Sequence, residues 1–211
     1  MSIINDISAA IQGGKLKDIK VLVPQAIEEG HSAQTILNDG LLHGMSIIGD
    51  RFTRNEAFVP EVLVSARAMN KGVELIKPLL AEEGATSIGK ACIGTVEGDL
   101  HDIGKNIVKL MLESRNIDVI DLGVDVPADK FIQTAIDEKC DLICCSALLT
   151  TTMPNMEKVV EAAKAAGIRE NVKIMIGGAP VTQEYCEKIG ADAFTIDGGS
   201  AAVRAAEFLT A

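Results

Sequence analysis

Apolar positions recur at helical spacing from Met1 to about Ala81 and gather into strand-like runs thereafter, so the chain changes character once. Ile3-Ile4 through Ile11 predicts a short amphipathic helix stopped by Gly13-Gly14. Leu16 to Glu29 predicts a second, with Val21, Leu22, Ala26 and Ile27 as its apolar stripe and a stop at Gly30; Pro24 inside it argues against a straight helix. Ser32 is a candidate cap for a third, whose apolar face runs Ile36, Leu37, Leu41, Met45 and Ile48. A polar loop, Thr53 to Ala57, leads to the fourth and longest. It opens with Pro60 in its first turn and is striped by Val62, Leu63, Ala66, Met69, Val73, Ile76 and Leu79. Phe52 and Phe58 bracket that loop and are expected in the core. Four striped helices with short connections predict an antiparallel bundle.

Small and polar residues from Ala81 to Lys90 break the pattern and mark a linker. The expected division is a helical domain over 1–84, a linker over 85–90 and a second domain over 91–211. Beyond the linker, apolar runs at about Ala91–Val96, Ile117–Leu122, Asp141–Ala147, Lys173–Ile176 and Ala193–Ile196 read as strands. Helical patterns at Ile103–Ser114, Ala128–Glu138, Asn155–Ala166, Thr182–Ile189 and Ser200–Leu209 follow them in turn. Strands without polar alternation, each followed by a helix, predict a five-stranded parallel sheet covered on both faces. With right-handed crossovers the class is α/β, doubly wound, Rossmann- or flavodoxin-like.

Composition narrows the partners. The 211 residues are 47% hydrophobic and 24% charged, an ordinary globular balance, and the net charge of −10 disfavours nucleic acid. The absence of tryptophan and a single tyrosine leave no aromatic platform for stacking bases. The five cysteines form no CxxC pair, and most sit in apolar runs as small hydrophobes, favouring a reducing compartment. The amino terminus carries no basic segment followed by an apolar one, and no apolar run is long enough to span a bilayer. A soluble, cytoplasmic protein with no membrane partner is expected.

Chemistry concentrates where the first predicted strand ends, at Glu97-Gly98-Asp99-Leu100-His101-Asp102-Ile103-Gly104-Lys105-Asn106. In an open α/β sheet ligands bind beyond the carboxyl ends of the strands, and this turn presents an imidazole there with a carboxylate close by. Two further strand ends carry unusual residues: Ser146 to Thr152, rich in hydroxyls, and Gly177-Gly178, where a ligand could approach backbone closely. Acidic Glu97 and Asp99 disfavour a dinucleotide, whose pyrophosphate they would face. A phospho-acceptor cluster gives the histidine no role, and a zinc site lacks further ligands; His31 and His43 share no helical face. The plain alternative stays open on residues alone: Asp99 caps the helix and His101 is solvated.

Asp99-x-His101-x-x-Gly104, Ser146-x-Leu148-x-Thr150 and Gly177-Gly178 together resemble the three-part signature of cobalamin-binding domains. The stretch from Gly49-Asp50-Arg51-Phe52 through Phe58-Val59-Pro60 to Met69 resembles the helical cap of methyl-transferring members. The likeness covers nearly the whole chain. It is similar in architecture to the corrinoid proteins of anaerobic methyltransferase systems, and to the matching modules of cobalamin-dependent methionine synthase. The resemblance implies that His101 is the lower axial ligand to cobalt, displacing the cofactor's dimethylbenzimidazole, and that Asp99 accepts its other N–H. Thr152 stands where methionine synthase has a serine completing that relay. Gly98, Asp102, Ile103 and Gly104 would flank the ligand. Ser146, Leu148, Thr150, Gly177 and Gly178 would line the displaced tail, with Ala193 and Phe194 deeper. Phe52 and Val59 would lie above cobalt, Val59 being smaller than the leucine often found there.

The implied role is a carrier that binds cobalamin, with methylcobalamin as its loaded form, in anaerobic C1 metabolism. Partners would be a substrate:corrinoid methyltransferase, a second methyltransferase serving an acceptor such as tetrahydrofolate or a thiol, and a reductive activating protein. Little activity is expected alone, and the helical domain would swing through Gly84–Gly89. A carbon-skeleton mutase subunit shares the histidine motif but generally lacks the cap; a cobalamin-based sensor usually adds an output module. No residue selects among methanol, methylamines, methoxylated aromatics and betaines.

Overall fold

The computed structural model describes residues 2–83 and 87–210, with side chains described for 2–80 and 87–210. The chain divides into two compact units, residues 1–86 and 87–211. The linker expectation falls partly on residues 84–86, outside the described ones, and from Gly89 onward the chain is already strand.

The first unit is helical: α1 (Ile3–Gln12), α2 (Leu16–Glu28), α3 (Ala33–Thr35), a π-helical stretch (Ile36–Leu42), α4 (His43–Thr53) and α5 (Val59–Glu83). Segments α3, the π stretch and α4 run on as the expected third helix. Ser32 caps it, its hydroxyl accepting the Thr35 N–H at 3.1 Å. The π stretch contains Gly40 and leads into Gly44; a Cβ on Gly44 would lie 2.6 Å from the Ser8 carbonyl oxygen, so glycine lets α4 close on α1. Glu61 accepts the Phe58 N–H at 2.8 Å, half of a capping box at the start of α5.

Two expectations need correcting. The buried stripe of α2 is Ile19, Val23 and Ala26, at i, i+4 and i+7; of the expected stripe Ala26 is buried, Leu22 and Ile27 are half-buried and Val21 is exposed, so the face is turned from the one expected. Phe58 is not core. It precedes α5 with 66% of its surface exposed, because the chain there is turning out of the loop.

The second unit alternates β1 (Gly89–Val96), α6 (Ile103–Glu113), β2 (Ile117–Val126), α7 (Ala128–Asp137), β3 (Leu142–Ser146), α8 (Pro154–Ala165), β4 (Lys173–Gly177), α9 (Gln183–Ile189), β5 (Ala193–Phe194) and α10 (Gly198–Thr210). All strand pairs are parallel, in the order β2-β1-β3-β4-β5. With right-handed crossovers, α6 leads one way from β1 while α7, α8 and α9 lead the other, so the two sets cover opposite faces. α10 joins α6 on its face. The connections diverge between β1 and β3, and the site is built at the carboxyl ends of those strands.

Phe131, Ile143, Val159, Val160 and Ile174 centre a core in which Cys92, Cys140, Cys145 and Cys186 serve as small hydrophobes. All five cysteines are free and buried, and burial pushes the Cys144 thiol up to about 12. Gly178, at φ +136, packs so tightly on the Ala147 carbonyl that a Cβ there would overlap backbone. Glycine is therefore required where the ends of β3 and β4 meet. Gly178→Ala should cost roughly 2–5 kcal/mol. Tyr185, the sole tyrosine in a chain without tryptophan, lies in this unit, so its fluorescence in a denaturant melt measures that loss.

Candidate functional site

β1 ends in the buried Thr95 and Val96, and the chain turns through Gly98 at φ +79. Four bonds pin the turn. The Thr95 hydroxyl donates to His101 O (2.8 Å), Asn155 Nδ2 to Glu97 O (2.6 Å), Gly98 N to Asp125 Oδ1 (2.7 Å) and Asp125 N to Asp99 O (3.0 Å). Asp99, 0% exposed, points inward, and His101, with 51% of its side chain exposed, points out.

The Asp99 carboxylate is fully engaged. Oδ1 accepts from His101 Nδ1 (2.7 Å) and from the His101 backbone N–H (3.1 Å). Oδ2 accepts from the Thr152 hydroxyl (2.7 Å), Leu148 N–H (2.8 Å) and Leu149 N–H (3.3 Å). Burial pushes this carboxyl up, but the bonds from Thr152, His101 and Leu148 outweigh it and hold Asp99 below the usual carboxylate range. An ionised Asp99 is acceptor only, so Nδ1 carries a proton and donates it, which leaves Nε2 as the ring nitrogen aimed away from the carboxylate. The helix-cap alternative is excluded, because Asp102 occupies the cap position of α6 and Asp99 bonds elsewhere.

The expected residues divide by position. Asp99, His101, Thr152 and the Leu148 N–H are joined by hydrogen bonds across β1 and β3. Ser146 pairs with Thr95 on one side and Gly177 on the other, so the three strand ends are level. Phe194 pairs with Ile176 and Ala193 with Met175, one and two steps down from that rim. Asp102 accepts from Asn106 Nδ2, Gly104 has open space where a Cβ would stand, and Thr150 is exposed. Phe52 and Val59, both half-buried, belong to the helical unit. Sequence reasoning missed Thr95, although a hydroxyl inside an otherwise apolar strand is a visible signal. It also missed the Leu148 and Leu149 amides, which leave no mark on residue type.

Large apolar side chains crowd the rim. Ile103 is 74% exposed and Ile196 86%, and Leu100, Leu148 and Leu149 are exposed as well. Five such residues, on the loops after β1, β3 and β5 and at the start of α6, fit a broad apolar ligand better than water. Among the described residues no three His, Cys, Asp or Glu side chains gather as a metal site. A lone imidazole beside an apolar rim fits a metal that arrives with its other ligands attached, as in a corrin ring.

Fold and site define a class: a doubly wound domain, preceded by a helical unit, that presents one carboxylate-backed imidazole at the carboxyl edge of its sheet. Two family models described as B12 binding domain match residues 89–206 and 3–77. The Dimethylamine corrinoid protein 1 of Methanosarcina acetivorans is 47% identical over 82% of this chain and 82% of its own length. The Dimethylamine corrinoid protein of Methanosarcina barkeri is 40% identical over 98% of this chain and 97% of its own. Among solved structures, the methanol:cobalamin methyltransferase complex of Methanosarcina barkeri matches with a TM-score of 0.88 at 31% identity, over 98% of this chain and 79% of that one. The chain belongs to the B12-binding family, and its cofactor is a corrinoid. No described helix is long and apolar enough to cross a membrane.

Because Asp99 titrates lower in the folded chain than its unfolded value of about 3.9, its ionisation stabilises the fold at neutral pH. That contribution is lost only as pH falls below about 4. Asp99→Asn should therefore cost about 2–3 kcal/mol at pH 7 in a denaturant melt followed by Tyr185, with the gap to wild type closing as pH falls below 4.

Proposed function

We propose that the chain is the methyl-carrying corrinoid protein of a methylamine-dependent methyltransferase system. The observation that carries the reading is the Asp99 carboxylate bonded at once to His101 Nδ1 and Thr152. Similarity to corrinoid proteins named for dimethylamine and trimethylamine, higher in identity than that to the methanol complex, supports a methylamine donor.

In this reading His101 Nε2 would hold the cobalt in place of the cofactor's own base, and the corrinoid, when bound, would supply the nucleophile that carries the methyl group. The residues supply the rest. Asp99 fixes the ring tautomer and its orientation. Thr152 and the Leu148 and Leu149 amides keep Asp99 ionised, so it stays the acceptor of the Nδ1 proton and holds the imidazole in one orientation.

Gly98, Asp102, Ile103 and Gly104 flank the ligand. Ser146, Leu148, Thr150, Gly177, Gly178, Ala193 and Phe194 are assigned to the nucleotide tail. Phe52 and Val59, in the helical unit, are assigned to cofactor binding. The partners in this reading are a substrate-side methyltransferase, a second methyltransferase carrying the group to an acceptor, and a reductive activating protein.

His101→Ala loaded with methylcobalamin should lose the spectrum of the imidazole-bound form, and methyl transfer should slow at least roughly tenfold. A variant matching wild type in both would falsify axial ligation by His101. For the donor, the loaded wild-type chain should accept methyl groups from a dimethylamine-specific partner faster than from a methanol-specific one; the opposite preference sinks the methylamine assignment.

A further inference from the structure

β2 does not pair evenly with β1. The register runs Ile93↔Asp121, then Gly94↔Gly123, then Val96↔Val126, so β2 takes up an extra residue at each of two steps. Bulges of this kind bend a strand and re-aim its side chains, often beside active sites. Here they carry Asp125 to the turn that follows β1. Its Oδ1 accepts the Gly98 N–H at 2.7 Å, and its own N–H donates to Asp99 O at 3.0 Å. Asp125 therefore grips the two residues between the strand end and the site through both its side chain and its backbone.

The grip is held under local backbone strain. Asp125 sits at φ +54, a left-handed conformation uncommon outside glycine, and bonds a glycine at φ +79. Such a residue persists when its surroundings over-determine it. Asp121 Oδ1 accepts the Gly123 N–H at 2.9 Å, fixing the first bulge. The same oxygen takes the almost fully buried Lys105 ammonium at 2.6 Å, and Lys109 stands 3.6 Å from the other. Lys105 and Lys109 lie on α6, which continues directly from the His101 turn. The turn is thus tied to β2 twice, once through Asp125 and once through α6 and Asp121. Thr95 and Asn155 hold its ends, at His101 O and Glu97 O. Asp125 holds its crest.

We propose that Asp125 is a positioning residue for His101. Its clamp on Gly98 and Asp99 sets the pitch of the turn and so the direction in which the imidazole faces. The role rests on His101 being the protein ligand of the corrinoid. A hydrogen bond to an ionised acceptor is stronger than a neutral one, so the carboxylate is the dominant part of the clamp.

The test uses the full-length chain with Asp125→Gly and Asp125→Asn. Glycine removes the carboxylate while relaxing the left-handed backbone, so the fold is not strained by the change. Asparagine tolerates the same backbone and keeps a neutral acceptor. Without cofactor, hydrogen exchange at the Gly98 amide, read by NMR, should accelerate at least about tenfold in Asp125→Gly, and asparagine, a weaker neutral acceptor, should restore part of the protection. Titration with aquacobalamin should show a matching loss of affinity in Asp125→Gly and its rescue in Asp125→Asn. Unchanged exchange overturns the clamp. Faster exchange with unchanged affinity makes the contact merely structural and overturns the positioning role, as does an asparagine variant no better than glycine. If the wild-type chain takes up no cobalamin, the assignment of His101 falls, while the exchange comparison still decides the clamp.

Discussion

Burying a carboxylate in its ionised form requires that its lone pairs be answered, and at Asp99 they are answered from two strand ends. His101 supplies a ring N–H and a backbone N–H from the turn after β1; Thr152, Leu148 and Leu149 supply a hydroxyl and two amides from the loop after β3. Removing one donor leaves charge uncompensated in a site without water access, which is far costlier than losing a surface bond. The network therefore fixes more than a tautomer. It locks the two loops on either side of the point where the sheet's connections diverge, and those loops are the walls of the site.

The division of exposure follows from that lock. Asp99 is enclosed, so its charge is held constant over the range in which proteins work, and His101 is half out, so its far nitrogen is free to meet a ligand. Around it the rim is apolar where a soluble surface would ordinarily be polar, with Ile103 and Ile196 almost wholly exposed. A B12-binding chain has use for both features: one nitrogen for the metal, and apolar edges for a large macrocycle. The strand ends at Thr95, Ser146 and Gly177 stand level in register, which gives the ligand a flat rim rather than a staggered one.

How much of this was legible in the sequence depended on whether the signal lay in residue type or in backbone. Asp99 and His101 were legible because an apolar strand, a glycine turn and an apolar-periodic helix bracket them. Thr152 was legible only through resemblance, since a hydroxyl among Thr150, Thr151 and Thr152 carries no mark of which one turns inward. The Leu148 and Leu149 amides and the Asp125 clamp were not legible, because backbone donors and register slips in β2 are products of tertiary pairing. Gly177-Gly178 was read as a pair that lets something approach the backbone closely, and at Gly178 the Ala147 carbonyl does so. In the helical unit the Ser32 cap and the stripe from Ile36 to Ile48 followed from local rules. Val21 and Phe58 did not, because exposure of single apolar residues is set by the partner helices and not by hydropathy.

The central claim is that a histidine nitrogen of the protein, and not the cofactor's own base, is bound to cobalt. Its most direct measurement is the electron paramagnetic resonance spectrum of the chain loaded with Co(II) cobalamin, with and without nitrogen-15 in its histidines. A bound protein imidazole predicts that the axial-nitrogen splitting changes from a triplet to a doublet on labelling. A triplet that survives labelling would mean that the cofactor keeps its own base, and would contradict the account.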